Sequence, residues 1–380
     1  MKVLIVCNNA FYRGNGLCTA VQTLHRELNA AGIETRVMAC ANPEEGGQQP
    51  EYPLKHFKIP FFENLIYTSG FRFATADRKL MRKAVEWADV IHLEEGFPIE
   101  AIVANLAARA GKVCVGSYHL LTENIMANLE MQNDVVFNRL VTFFWRKLVF
   151  DKCRIIHCPT LMVRDYLDGH GFKSEKMVFS NGISTATDRT SADKPQTDPY
   201  LILCTGRLST EKSQRTLFEA MRYSRHNKEI QLSFAGKGPK EKKYRRMVGR
   251  LMKDGVLKYE PIIDFYDSKT LSGICRKAYL YIHCATVEVE GLSCVEALRE
   301  GAVPVIAEGK VTATAQFALD ERSTFPAGDA KALAERIDWW IEHPEERERM
   351  GDAYAESVKK YDINLSIRSM IEMYNKALIK

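Results

Sequence analysis

The sequence predicts an α/β protein of two doubly wound parallel-sheet domains in tandem, and three observations predict it. Short apolar, β-rich runs alternate with helix-period segments, the pattern of parallel strands joined by crossover helices. A polar, proline-containing stretch without period, Ser184–Pro199 (STATDRTSADKPQTDP), interrupts that alternation mid-chain. Beyond it the alternation restarts. At 380 residues the chain exceeds one ordinary core and suits two domains. The predicted partition is 1–183, a linker at 184–199, and 200–363, with the closing helix at 364–380 packing back on the first domain.

In order, Met1–Cys7 reads as a strand, Thr19–Ala31 as a helix ending at Gly32, and Thr35–Cys40 as a strand. Arg78–Glu86 lies in a helix and Val90–Leu93 is a strand. Ile102–Arg109 is helical and ends before the strand Lys112–Gly116. After the linker, Tyr200–Cys204, Gln231–Ala235, Tyr279–Cys284 and Val303–Ala307 are strands. Ala330–Ile341 is a helix that His343-Pro344 breaks and restarts, and Leu365–Leu378 closes the chain. In such sheets ligands bind outside the carboxyl ends of the strands, so residues at those ends facing a crevice between the domains are the candidates.

Composition narrows the class. With 46% hydrophobic and 27% charged residues the chain is an ordinary globular protein, far from disorder. A net charge of +5 is too mild for a dedicated nucleic-acid binder. The 10 cysteines show no CxxC and no metal-ligand spacing, and several lie in apolar runs, so they read as buried reduced thiols. No secretory signal is read at MKVLIVCNN, and no apolar run approaches the roughly 18 residues of a spanning helix. The expected location is cytoplasmic.

Four segments carry candidate chemistry. Asn8–Gly16 (NNAFYRGNG) follows the first strand, and Gly14 and Gly16 let backbone N–H groups approach an anion near a helix N-terminus. Cys204–Gln214 (CTGRLSTEKSQ) brings Gly206, Arg207 and Lys212 after the first strand of the second domain; Arg forks onto phosphate oxygens and Lys supplies a point charge. Phe234–Pro239 (FAGKGP), with Gly236, Lys237 and Gly238, is again a strand running into a glycine turn. In VEVEGLSCVEALREGAVPVI (residues 287–306) the Ser293–Glu296 spacing fits a capping box, while Glu288 and Glu296 stand eight apart around Gly291, Leu292 and Ser293. A solvated basic loop and a well-capped strand–loop–helix joint remain the structural alternatives.

These segments, with the SNG of Ser180–Gly182, resemble retaining glycosyltransferases of family four, which adopt the two-Rossmann GT-B fold. The resemblance covers nearly the whole chain. It implies that Glu288 contacts the donor sugar and Glu296 the ribose, that Arg207 and Lys212 clamp the diphosphate, and that glycine-turn amides meet sugar and phosphate. His119 in GSYHLLTEN matches the histidine near the donor sugar, against the alternative of a satisfied core histidine. The chain departs from the family at Glu290, where an aromatic residue is common. No Asp-x-Asp is placed to hold a metal, so the implied chemistry needs neither metal nor cofactor, only a nucleotide-sugar co-substrate, a UDP-hexose.

The acceptor is less legible. Phe137–Arg154 (FNRLVTFFWRKLVFDKCR) interleaves Arg139, Arg146, Lys147 and Arg154 with aromatic residues including Trp145. Such a helix suits an anionic bilayer surface, and an amphipathic core helix with a solvated basic face fits equally. KHFKIPFFENL (Lys55–Leu65) and GFRFATADRKLMRK (Gly70–Lys83) share this basic and aromatic character. HLLTENI (His119–Ile125) is similar to the branch that glucosylates diacylglycerol. The expectation is a glycolipid synthase held peripherally at the inner face of the cell membrane, with cell-envelope polysaccharide as the second acceptor class and nucleotide-sugar epimerisation as the third reading.

Overall fold

The computed structural model describes residues 1–12, 16–58, 60, 63, 71–127, 134–190 and 192–379. The chain forms two compact units, one built on Met1–Met126, Gln132–Asn181 and Asn364–Lys380, the other on Gly182–Ile363.

In the first unit the strands are β1 (Lys2–Val6), β2 (Glu34–Cys40), β3 (Tyr52–Leu54), the short antiparallel pair β4 (His56–Phe57) and β5 (Phe73–Ala74), β6 (Val90–Leu93), β7 (Val113–Ser117), β8 (Ile155–Cys158) and β9 (Glu175–Val178). The helices are α1 (Gly16–Ala30), α2 (Arg78–Trp87), α3 (Pro98–Arg109), α4 (Thr122–Ala127), α5 (Val135–Leu148) and α6 (Leu161–Gly169). The main sheet runs β3-β2-β1-β6-β7-β8-β9, every pairing parallel. Its central strands are apolar along their length because helices cover both faces; VIHL of β6 is wholly buried.

In the second unit β10 (Tyr200–Thr205), β11 (Ile230–Ala235), β12 (Ile262–Asp264), β13 (Leu280–His283), β14 (Val303–Glu308) and β15 (Thr324–Pro326) form the parallel order β12-β11-β10-β13-β14-β15. Its helices are α7 (Arg215–Ala220), α8 (Glu241–Lys253), α9 (Ser268–Lys277), α10 (Leu292–Arg299), α11 (Ala330–Glu342) and α12 (Pro344–Ser357). Pro344 begins α12 at a position where the missing N–H costs nothing. Each sheet reverses direction once, at β1/β6 and at β10/β13, and the loops leaving those strands diverge there.

The closing helix α13 (Ile363–Ile379) packs on the first unit. Its Tyr374 Oη lies 2.7 Å from His92 Nδ1, Arg154 donates to Ala377 O at 2.8 Å, and Lys376 pairs with Glu175. The stretch 184–199 is bonded along the second unit: Thr187 donates to Glu300 Oε2 at 2.8 Å and Gln196 N to Lys277 O at 2.8 Å. Its polar side chains therefore bond to the second unit rather than being left to free solvation, Thr187 to Glu300 just after α10 and Arg189 and Lys194 to Asp352 and Glu348 of α12.

Candidate functional site

The second unit presents a charged cluster where its strand order reverses. Lys212, on the loop after β10, forms an ion pair with Glu288, on the loop after β13. The Glu288 carboxylate is fixed from behind by its own strand: His283 Nε2 lies 3.3 Å from Oε2, and Tyr281 Oη reaches His283 Nδ1 at 3.3 Å and Thr205 Oγ1 at 2.9 Å. Burial pushes the Glu288 carboxyl up, but the Lys212 ammonium and the His283 imidazole more than offset it and hold it at about 2. The group stays a carboxylate across the physiological range, against the Lys212 side chain.

Arg207 is built in parallel. Its Nη2 donates to Glu211 Oε1 at 2.8 Å, Ser209 Oγ donates to the same oxygen at 2.6 Å, and Gln214 Nε2 donates to Arg207 O at 2.8 Å. Each cation thus carries a carboxylate that orients it. A diphosphate brings more negative charge than either carboxylate and can compete for both donors.

The glycine signatures have a structural cause. A Cβ at Gly236 would stand 2.0 Å from Gly206 O, and one at Gly238 would stand 2.4 Å from Leu208 O. The loops after β10 and β11 are knit together, Gly206 N donating to Ala235 O at 3.0 Å and Leu208 N to Lys237 O at 3.0 Å. Gly236 and Gly238 therefore hold the Arg207 loop in place, and Lys237 between them is exposed. Gly206 itself has φ of 122°, a backbone conformation that favours glycine.

The capping-box expectation is corrected. Helix α10 begins at Leu292 behind Gly291, whose φ is 89° and whose Cβ would meet Thr314 Oγ1 at 2.4 Å. Ser293 is already inside the helix and its Oγ lies 3.2 Å from Tyr281 Oη. The left-handed glycine starts the helix two residues early, so Glu296 stands mid-helix with an exposed side chain free to reach a ligand. Glu290 is buried beside Glu288, and its carbonyl accepts from Thr314 Oγ1 at 3.3 Å.

In the first unit a buried polar network occupies the ends of β6, β7 and β8. His119 Nε2 lies 2.9 Å from Glu94 Oε2, and His92 Nε2 lies 3.5 Å from Glu94 Oε1. Ser117 Oγ bridges His92 Nε2 (2.7 Å) and His157 Nδ1 (2.9 Å). Burial pushes the Glu94 carboxyl up, while the imidazoles of His92, His119 and His157 more than offset it and keep it ionised. His119 is accordingly a nearly buried imidazole paired with a carboxylate. Beside it, Asn8 N and Nδ2 donate to Glu95 Oε2 at 2.7 and 3.0 Å, and Nδ2 approaches Glu100 Oε1 at 3.3 Å. Gly16 opens α1 with no atom near its Cβ position, and Gly14 lies outside the described residues, as do parts of Lys55–Leu65 and Gly70.

The expected basic face of Phe137–Arg154 is redrawn by α5. Trp145 is buried against Phe97 and Tyr118, with ring centroids 5.4 and 6.4 Å apart, so it does not face solvent. Arg154 is spent on the α13 carbonyl, and Arg146 is half-buried, donating to His170 O at 2.6 Å. Arg139 and Lys147 are exposed. The outward face is apolar instead: Val136 is 79% exposed, Leu140 50%, Phe144 49% and Phe143 45%. The inward face carries Asn138 and Thr142 beside Trp145, with Thr142 Oγ1 3.2 Å from Thr122 Oγ1 and 3.1 Å from Tyr166 Oη.

Sequence reasoning passed over Glu94, Glu95, Glu100, Glu211 and His283. The signal for the first two was available: HLEE places two carboxylates directly after an apolar strand.

Comparison with known proteins follows the same division of the chain. Residues 14–187 match the family described as Glycosyltransferase Family 4, and residues 187–357 match Glycosyl transferases group 1. The chain belongs to glycosyltransferase family four. This glycosyltransferase is 23% identical over 328 residues to the alpha-monoglucosyldiacylglycerol synthase of Streptococcus pneumoniae, covering 81% of this chain and 71% of the relative. It is 44% identical to the catalytic domain of cholesterol-alpha-glucosyltransferase from Helicobacter pylori, covering 43% of this chain and 99% of that one, with a TM-score of 0.40. Anabaena Alr3699/HepE in complex with UDP superposes over 99% of this chain and 100% of its own at 15% identity and TM-score 0.70, a likeness of fold. The architecture is GT-B, with two Rossmann-like sheets.

Proposed function

We propose that this glycosyltransferase moves a hexose from a nucleotide diphosphate sugar, UDP-glucose or UDP-galactose, to a hydroxyl of a membrane lipid, with retention and without a metal. The observation that carries the reading is the Lys212–Glu288 pair beside Arg207 at the β10/β13 reversal. In the transition state charge develops on the departing diphosphate, where two preplaced cations stabilise it more than they stabilise the ground state. Glu288, ionised and fixed by His283, suits the hydroxyls of the sugar; Glu296, exposed on α10, suits the ribose. His119, which the family resemblance assigns to the donor sugar, has its ring held against Glu94, with Nε2 2.9 Å from Oε2.

The lipid acceptor is supported by the names of the two sequence relatives, a diacylglycerol glycoside synthase and a sterol glucosyltransferase. It is supported independently by α5, whose outward face is apolar while Asn138 and Thr142 face inward beside Trp145. Among the described residues no helix is long and apolar enough to cross a membrane. Peripheral docking of the first unit at the inner face of the cell membrane is the matching mode.

The test is a mass-spectrometric product screen crossing nucleotide sugars with diacylglycerol, ceramide and sterol in mixed micelles. A hexosylated lipid with stoichiometric release of UDP is expected. Hexose appearing only on soluble glycans would move the acceptor to polysaccharide, and isomerised donor without acceptor would make the protein an epimerase.

A further inference from the structure

We propose that the cleft at the C-terminal end of α5 binds the phosphate of an anionic phospholipid, so that docking uses a defined headgroup site and not diffuse charge alone. The proposal rests on the lipid-acceptor reading above and names the partner of that surface. The cleft, of about 440 Å³, is lined by Arg146, Lys147, Asp151, Gly171, Lys173 and Ser174. Three cations therefore face one carboxylate. Lys147 Nζ lies 3.0 Å from Asp151 Oδ2, which accounts for that carboxylate. Arg146 and Lys173 make no ion pair among the described residues, and Arg146 Nε is buried with no hydrogen-bond partner.

The guanidinium is nevertheless held in place. It donates to His170 O at 2.6 Å and sits 5.2 Å from the Phe143 ring centroid. Gly171 completes the seat, since a Cβ there would stand 2.7 Å from Arg146 Nη1. A fixed Arg without an ion-pair partner beside an exposed Lys is an arrangement that takes phosphate oxygens.

Position identifies the source of the phosphate. Lys147 follows Phe143 by four residues and Phe144 by three, so the cleft begins one turn, about 5.4 Å, beyond the outward apolar face. An amphipathic helix settles with that face about 5–10 Å into the headgroup–acyl boundary. With the helix axis in the membrane plane, the cleft adjoins that face at a similar depth, within the headgroup layer. The chain's net charge of +5 is too small to give strong non-specific adsorption, so local placement must supply the affinity.

The full chain is titrated with phosphatidylcholine vesicles with and without phosphatidylglycerol, using wild type, Lys173→Glu and Lys2→Glu. Lys2 is exposed at the amino end of β1, and its reversal makes the same change in net charge away from the cleft. Wild type should bind the phosphatidylglycerol vesicles. Lys173→Glu should bind them about 30-fold more weakly, two unit charges at about tenfold per 1.4 kcal/mol and about 1 kcal/mol each, and Lys2→Glu should stay close to wild type. Equal losses in both variants would overturn the site in favour of diffuse charge. Saturable binding of inorganic phosphate without vesicle binding would overturn the lipid source. Wild-type transfer to micellar lipid is assayed in parallel: transfer with an unresponsive Lys173→Glu removes the cleft alone, and the expected vesicle response without transfer to any lipid removes the acceptor reading alone.

Discussion

Lys212 and Glu288 are legible in sequence because each sits within a motif a dozen residues long, yet their contact spans 76 positions and depends on β10 pairing with β13. Lys212→Ala removes a charge-assisted contact worth about 1.5–3 kcal/mol and should lower turnover by roughly a hundredfold, measured as kcat under saturating donor. It also unmasks a buried anion. Because Glu288 is held at about 2, below its unfolded value, its contribution to stability is complete above the usual carboxylate range and is lost as pH falls towards 2. Glu94 is legible as a carboxylate after an apolar strand, but its pairing is not, since His119 lies 25 positions away and only the β6–β7 register brings them together. Glu94→Gln should lower kcat by tenfold or more while UDP affinity stays within twofold of wild type, a split that separates a positioning role from a folding defect. Unchanged kcat would leave Glu94 as packing.

Strands that are buried apolar runs were the most legible elements; β6 has the bounds its composition predicts. Helix α10 was misread at its start because Ser293 offers a good local cap, while the left-handed Gly291 is a conformation that sequence spacing does not reveal. Helix α5 was recognised as amphipathic but oriented wrongly. Its periodicity shows two faces, and only the partners of Asn138 and Thr142 decide which is buried. Its outward residues can therefore be changed cheaply: Leu140→Ser, Phe143→Ser and Phe144→Ser should each move stability by less than about 0.5 kcal/mol. Together they should reduce vesicle binding at least tenfold, whatever the lipid charge, as apolar insertion is lost. The loops after β10 and β11 are the opposite case. Gly236→Ala drives a methyl into backbone that cannot step aside, and overpacking costs about 1–3 kcal/mol even among movable side chains. A clear fall in the thermal midpoint of the second unit is expected, with loss of nucleotide binding; an unchanged midpoint would mean that the two loops are not packed as described.

At the scale of the whole molecule, the doubly wound class and the tandem arrangement follow from alternation of strand and helix signals, which many residues share and no single error removes. The electrostatic balance of the first unit was hidden, because it depends on burial. Burial pushes the Glu95 carboxyl up to about 7, and its neighbour Glu100 is raised well above the usual range by burial and by Glu95. A carboxyl whose pKa is raised on folding gives stability that is complete below its unfolded value, about 4.3, and is lost as pH rises from there through the folded value. Burial instead lowers His157 to about 3, and such a histidine gives stability that is lost as pH falls from its unfolded value, near 6.5, towards 3. The thermal midpoint of the first unit should accordingly be highest at about pH 4.3, the unfolded carboxyl value, since above it the two raised carboxyls outweigh His157 and below it His157 alone acts. Glu100→Gln should flatten the alkaline fall and His157→Asn the acid fall. A midpoint that does not change between mildly acid and mildly alkaline pH would refute this balance.

The charged cluster at the β10/β13 reversal is proposed as the nucleotide-sugar site. Calorimetric titration of wild type, Lys212→Ala and Glu288→Gln with free UDP tests it most directly. Wild type should bind one UDP, Lys212→Ala should bind it at least tenfold more weakly, and Glu288→Gln, whose partner is the sugar, should change UDP affinity less while abolishing transfer. Wild-type affinity for UDP in Lys212→Ala would place the nucleotide away from this cluster.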